Sequence, residues 1–286
     1  MTVKRTLLVF VVIVGAIAAA FVPRLAAQGT PAVKTPRIYI FENGHIKGLD
    51  TQLFGLKREE IKGGTDFVNV SYLIVHPKGT LQFDAGGIPD REFKGGPVTE
   101  GVMSADKPLV PQIESTGYKI PNITFFAMSH YHSDHTANAN LFAASTWIVQ
   151  KAERDYMFNE KPAGIIQPAT YSALRDAKTR ILNNEDLDVF GDGTVRMVST
   201  PGHTPGHQVL FVRLANYGPV VLAGDLYHFP EEAALDRVPG FDVDAAQTRS
   251  SRAKVQALLK QTGAKLWIEH DLATHAPLPK APKFVD

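Results

Sequence analysis

The sequence predicts an α/β fold of the α+β kind, in which mixed sheets carry helices on their outer faces. Three observations lead there. Short apolar or alternating runs that read as strands come in consecutive groups, at 37–41, 67–75 and 80–83 and again at 195–199, 208–213 and 219–222. Helical patterns are interspersed mainly later, as at 248–261. The strict alternation of strand and helix that a single parallel sheet requires is not seen. The chain has 286 residues, enough for one large domain or two small ones, and its 44% hydrophobic content allows a sizeable core.

The elements follow in chain order. Lys4 and Arg5 precede an almost wholly apolar run at 6–22, and Leu25-Ala26-Ala27 supplies small residues for cleavage after Ala27. This is the pattern of an export signal. An uncleaved membrane anchor is the competing reading, because the run is only slightly short of a spanning helix. Cleavage is the expectation: a signal peptide at 1–27, a polar linker at 28–36 and one folded domain at 37–286. Arg37 to Phe41 alternates as a strand, and 48–64 reads as a Gly- and Lys-rich loop. Phe67 to Val75 and Thr80 to Phe83 form a hairpin about the turn residues His76-Pro77-Lys78-Gly79. Residues 88–121 show no single pattern. Ile123 to Met128 reads as a buried strand, Thr136 to Phe142 as a short helix, Ser145 to Val149 as a strand and Lys151 to Phe158 as a helix. Residues 163–173 are a candidate lid. After the later strands comes a helix at 248–261, with Val255, Leu258 and Leu259 on one face and Gly263 as its stop. Lys265 to Ile268 is the last strand.

Composition excludes several chemistries. A formal charge of +1 gives no broad field for nucleic acid or an anionic membrane. The absence of cysteine removes disulfides, thiolate metal sites and a cysteine nucleophile, so the ten histidines become the candidates for metal binding. Four potential ligands stand in the run His130-Tyr131-His132-Ser133-Asp134-His135. Alternate side chains of extended backbone point the same way, so His130 and His132 can grip one metal. Asp134 and His135, at the turn into the expected helix, project sideways to a second. The helix N-terminus favours the ionised form of Asp134. The competing reading makes Asp134 a cap and the histidines surface residues. Three further segments each follow an expected strand: Thr200-Pro201-Gly202-His203-Thr204-Pro205-Gly206-His207, Ala223-Gly224-Asp225 and Glu269-His270-Asp271. Taken singly, each reads more readily as a turn, a cap or a hydrogen-bonded structural residue than as a metal ligand. Together they complete a set of five histidines and two aspartates at strand ends.

This set resembles the metallo-β-lactamase superfamily, whose hallmark is H-x-H-x-D-H followed by a later His, Asp and His. The resemblance runs from about Arg37 to His270. It implies a four-layer αββα sandwich with His130, His132 and His203 on one metal, Asp134, His135 and His270 on the other, and Asp225 bridging. Asp84 matches the structural aspartate that supports the ligand loops. A bridging carboxylate argues against a true β-lactamase. Residues 271–286 are too few for the C-terminal domain of glyoxalase II thioesterases, and an RNase Z-like nuclease would want a basic face. Arg37–Phe41, Leu73–Gly79 and Pro201–Gln208 are similar to segments of N-acyl homoserine lactone lactonases. So is a tyrosine after the bridging aspartate: here Tyr227, two positions on, where the lactonases place it three on, with His228 beside it.

That resemblance implies a dinuclear metal hydrolase that opens a lactone ring by attack of a metal-bridging hydroxide. Tyr227 would donate to the developing oxyanion, and Asp134 would carry a proton to the leaving oxygen. Two divalent metals are expected, with zinc the default. The partner is a small lactone, with no nucleic acid and no stable membrane association after signal cleavage, and the location is periplasmic or secreted. His207 is expected to support ligands rather than bind metal, and His45, His76 and His275 to be surface or turn residues. Met103, Tyr118, Phe158 and Ile165 line a pocket or belong to the core. Alternative readings are an exported β-lactamase or carboxylic ester hydrolase on the same site, and a non-catalytic metal-binding protein.

Overall fold

A computed structural model describes residues 32–159 and 165–286. The expected signal at 1–27, and the first residues of the linker and of the candidate lid, lie outside the described residues.

The first sheet is built from β1 (Arg37–Ile46), β2 (Phe67–His76), β3 (Gly79–Phe83), β4 (Val98–Glu100), β5 (Met103–Ala105), β6 (Phe125–Ala127), β7 (Thr146–Gln150) and β8 (Thr179–Leu182). Their order is β4-β5-β1-β2-β3-β6-β7-β8. The β4 to β3 half is antiparallel, while β3, β6, β7 and β8 run parallel. The second sheet holds β9 (Leu187–Asp188), β10 (Val195–Ser199), β11 (Gln208–Arg213), β12 (Pro219–Leu222) and β13 (Lys265–Trp267), in the order β13-β12-β11-β10-β9.

Period-two patterning stacks these sheets. Ile38 and Ile40 of β1 and Val68, Val70, Tyr72 and Ile74 of β2 pack with Met197, Leu210, Val220 and Trp267 of the second sheet, forming the central core. The alternate residues, Tyr39, Phe41, Leu73, Val75 and Trp147, face outward under α1 (Leu109–Ser115) and α3 (Lys151–Asn159), between which the chain forms the short α2 (Ser133–Thr136). The outer face of the second sheet, with Val209, Phe211 and Val221, lies beneath Val255. That residue belongs to α5 (Ala245–Thr262), which follows α4 (Pro230–Leu235); a short α6 (Leu272–His275) comes last. Helix, sheet, sheet and helix make the four layers expected. β2 reads as a near-continuous apolar run because both of its faces are covered.

The differences from the sequence reading have local causes. β1 extends past Phe41 through a bulge at Glu42–Gly44, where the register against β2 shifts. The helix expected at 136–142 is split into α2 and a 3-10 turn at Ala139–Phe142. Between them the Asn138 amide donates to Ala85 O and Ile88 O and accepts from Asp90 N. α5 starts three residues early because the Asp244 carboxylate caps the amides of Ala246 and Gln247. Within 88–121, β4 and β5 add a hairpin to β1, and Asp90 takes the first two amides of α1. The edge strands β8 and β9 are too short or too exposed to show a period.

The loops that leave β3, β6, β10, β12 and β13 meet at one edge of the sandwich. The residues singled out in the histidine and aspartate set sit on these loops or, for Asp134 and His135, in the short α2 that follows β6.

Candidate metal centre

The seven residues form two clusters of converging ligand atoms, His130, His132, His203 and Asp225 in one, Asp134, His135, Asp225 and His270 in the other. In the first, His130 Nε2 lies 2.9 Å from His132 Nδ1, and His203 Nε2 lies 3.2 Å from both. Asp225 Oδ2 faces them, 3.5 Å from His130 Nε2 and 3.4 Å from His203 Nε2. Its other oxygen, Oδ1, faces the second cluster, 3.2 Å from His135 Nε2 and 3.1 Å from His270 Nε2. Asp134 Oδ2 closes that cluster, 3.6 Å from His135 and 3.4 Å from His270. One carboxylate thus addresses both groups.

Each loop is held in place by identifiable bonds. Asp84 sits at φ 60, costly for a non-glycine residue. There its buried carboxylate takes Ser129 N at 2.6 Å and reaches His135 Nδ1 at 3.3 Å. Gly224 lies at φ +49, and a Cβ there would stand 2.5 Å from Ser129 Cβ, so only glycine lets the loop carrying Asp225 close on the loop carrying His130. His207 Nε2 accepts from Asp225 N at 3.1 Å, and its Nδ1 pairs with Thr200 Oγ1 at 2.9 Å. It braces the backbone of Asp225 and belongs to neither cluster.

The far sides of the ligands show which nitrogens carry protons. His203 Nδ1 lies 2.8 Å from Asp242 Oδ1, His270 Nδ1 lies 3.0 Å from Val68 O, and His135 Nδ1 lies 3.3 Å from both Asp84 and Glu269. An imidazole that donates from Nδ1 to such an acceptor presents a bare Nε2 to the centre. Ring nitrogens then face one another and the oxygens of Asp225 across about 3 Å, and Asp225 Oδ1 and His135 Nε2 have no hydrogen-bond partner among the described residues. That arrangement is repulsive without a cation between the atoms. Four ligands at 2.0–2.2 Å around a tetrahedral ion stand about 3.4 Å apart, close to the separations seen here. The donor set fits two divalent ions.

The electrostatics divide the two clusters: burial works to lower His135 and His270, but Asp225 and the neighbouring carboxylates outweigh it and raise both, so the second cluster attracts a cation. Burial holds His130, His132 and His203 below the usual imidazole range, in the neutral form that binds metal. Burial also pushes Glu269 up to about 8, beside His135. Glu153 rises to about 7 because its burial outweighs its donors, Thr204 Oγ1 and the amides of Gly206 and Tyr131. Sequence reasoning gave no role to Glu153, Asp242 or Glu269. Glu269 stood beside His270 in the motif. The other two act across 22 to 53 residues of chain, which no local pattern signals.

An apolar pocket opens on the clusters. Ile46, Leu49, Phe54, Phe67, Met103 and Phe241 line it, with Val102 and Ile165 at its wall and His132, Asp134, Asp225, His228 and His270 on the polar side. Met103 and Ile165 are therefore pocket residues. Tyr118 is core, and Phe158 packs on Trp147 and Tyr171. Tyr227 requires a correction. It is buried in the cluster behind the second sheet, its hydroxyl accepts from Gln256 Nε2 at 3.3 Å, and the Arg252 guanidinium covers its ring at 4.3 Å. Backbone at φ −143 and ψ 141 is extended there, so its neighbour points the opposite way. That neighbour, His228, enters the pocket with Nε2 3.2 Å from Asp225 Oδ2. Its Nδ1 lies 3.3 Å from Glu232, which pairs with Arg252. Burial works to neutralise His228, but the carboxylates of Asp225 and Glu232 outweigh it and raise it to about 10. Two other histidines depart from the surface role expected. His76 is buried against Asp192 and stacked on Phe190, and His275 is buried against Tyr72 and Ile268 O.

Comparisons with known proteins agree with this geometry. The family model described as the metallo-beta-lactamase superfamily matches residues 64–269. The chain is 32% identical to the N-acyl homoserine lactonase AttM of Azorhizobium caulinodans, over 87% of its own length and 98% of the relative's. It is 25% identical to the N-acyl homoserine lactonase AiiA of Bacillus thuringiensis subsp. kurstaki, over 75% of its length and 85% of that protein's. Among solved structures, a quorum-quenching N-acyl homoserine lactone hydrolase shares the fold with a TM-score of 0.73 at 20% identity, covering 89% of this chain and 100% of that one. AidC, a dizinc quorum-quenching lactonase in complex with a product, gives 0.61 at 19%, covering 89% and 95%.

Proposed function

The chain belongs to the metallo-β-lactamase superfamily, and from that premise we propose that it is a metal-dependent hydrolase that opens the ring of N-acyl homoserine lactones. The observation that carries the reading is the pocket: an apolar cleft ends on a single carboxylate, Asp225, that turns one oxygen to each of two ligand clusters. Relatives that overlap 87% and 75% of the chain are named N-acyl homoserine lactonases.

His130, His132, His203 and Asp225 would hold one ion, and Asp134, His135, Asp225 and His270 the other, with zinc suited to imidazole and carboxylate donors. Two such ions supply Lewis acidity, polarising a carbonyl and lowering the pKa of water towards about 7. The chain's own residues do the rest. The apolar wall of Phe54, Phe67, Met103 and Phe241 takes an acyl chain and keeps bulk water out. His228 Nε2 offers a hydrogen bond to the reacting ester, the role the sequence had suggested for Tyr227. Asp134, which borders the pocket, carries a proton to the alkoxide that leaves as the ring C–O bond breaks.

A pH-stat screen of zinc-loaded protein tests this reading. Ring opening releases an acid, so base uptake is expected with N-acyl homoserine lactones and is lost on chelation. Turnover of β-lactams or thioesters, with none of lactones, refutes it. His228→Asn is expected to lower turnover and keep both metals; unchanged turnover removes His228 from the reaction. We also infer export, from Lys4, Arg5 and the apolar run at 6–22. The mature protein would then begin at Gln28, and an N-terminus still at Met1 would refute cleavage.

A further inference from the structure

We propose that Glu153 is a positioning residue for the first metal centre, tying the loop that carries His130 and His132 to the loop that carries His203. The inference rests on the metal-centre reading above.

Glu153 lies in the first turn of α3 and is only 2% exposed. Its carboxylate is filled from two directions. Oε1 accepts from Tyr131 N at 2.8 Å, the amide between the two histidines of the first loop. Oε2 accepts from Gly206 N at 2.8 Å, and Thr204 Oγ1 reaches the two oxygens at 3.0 and 2.8 Å. Thr204 follows His203 directly. Gly206 permits the approach, since a Cβ there would stand 2.5 Å from Glu153 N.

Burying a carboxylate with no cationic partner is costly, and an apolar side chain would serve packing alone better. What a carboxylate adds here is several accepting lone pairs at one point, enough to hold two separate chain segments. At their feet the loops are already joined, by Gln208 N donating to Ser129 O at 2.9 Å. Glu153 is the tie beside the ligands themselves. The second centre has other anchors: Asp84 and Glu269 for His135 and Val68 O for His270, none of which touches Glu153. A positioning role therefore predicts an effect confined to one centre.

The test places Glu153→Gln in two backgrounds, each of which disables one centre. His270→Ala leaves the first centre to hold an ion, and His203→Ala leaves the second. The zinc dissociation constant of each protein is read by competition with a chromogenic chelator. The glutamine keeps an oxygen for Tyr131 N but turns an N–H2 towards the Gly206 amide. Zinc held in the His270→Ala background should weaken about 10- to 100-fold, as for loss of a group that orients ligands. Zinc held in the His203→Ala background should be unchanged. Glu153→Ala should enlarge the difference wherever it folds. Equal weakening in both backgrounds makes Glu153 a general stabiliser and overturns the proposal, as does no weakening in either. Failure of the parent itself to bind zinc would instead refute the metal-centre reading.

Discussion

Asp225→Asn isolates the charge at the middle of the site while keeping its shape. The carboxylate faces five imidazole nitrogens: His270 and His135 at 3.1 and 3.2 Å from Oδ1, and His228, His203 and His130 at 3.2, 3.4 and 3.5 Å from Oδ2. The amide removes one unit of negative charge and puts an N–H2 where one oxygen was. With an effective dielectric of about 20, a unit charge pair about 4 Å apart is worth about 4 kcal/mol. Since each 1.4 kcal/mol is a factor of ten, the dissociation constant should rise on the order of 10³-fold. The loss is unequal, because the amide can turn its remaining oxygen to only one cluster. Elemental analysis should count fewer than two ions per chain after dialysis, and chelator competition should resolve one weakened ion and one nearly lost. A variant that holds two ions with the parent's affinities would refute the bridging role of Asp225.

Three further outcomes follow from the same geometry. Tyr227→Phe should leave turnover within about twofold of the parent and cost about 0.5–1.5 kcal/mol of stability for its hydrogen bond with Gln256; a large fall in turnover with metals retained would return Tyr227 to the mechanism. Asp242→Asn, at the back of His203, should weaken metal binding about 10- to 100-fold, read by the same chelator competition, and unaltered affinity would deny it that role. Burial raises Glu153 from the ordinary 4.5 to about 7, so this group contributes stability below pH 4.5 that is lost as pH rises through about 7. In the metal-free protein, the stability of Glu153→Gln relative to the parent should therefore improve between about pH 4.5 and about pH 7. Urea unfolding across that range reads the slope, and a pH-independent difference would refute it.

The legible parts of the site were those set by short spacing or by a strand's end. His130, His132, Asp134 and His135 lie within six positions, and His203, Asp225 and His270 each end a run whose apolar pattern marked a strand. Tyr227 was misread because a shift of one residue in extended backbone exchanges the two faces, and the sequence does not say which face meets the pocket. The same limit hid Glu153 and Asp242, whose partners are distant in sequence. In the fold, β2 and β11 were plain from composition. β1 was cut short where a bulge at 42–44 breaks its alternation, and β8 and β9 take their strand character from their neighbours.

The ring nitrogens aimed at Asp225 have a thermodynamic consequence. A metal-free chain must hold five imidazoles and two aspartates against one another to reach its native state, whereas an unfolded chain disperses them. Whatever ion fills the gap binds the folded form in preference, and mass action transfers that preference to the folding equilibrium. At a free concentration of 1,000 times the dissociation constant, one such ion adds about 4.1 kcal/mol, a large share of a domain's usual stability of about 5–15 kcal/mol. The protein's melting temperature is then a gauge of metal availability, and its lifetime in solution depends on the supply of the ion as well as on the packing of its core.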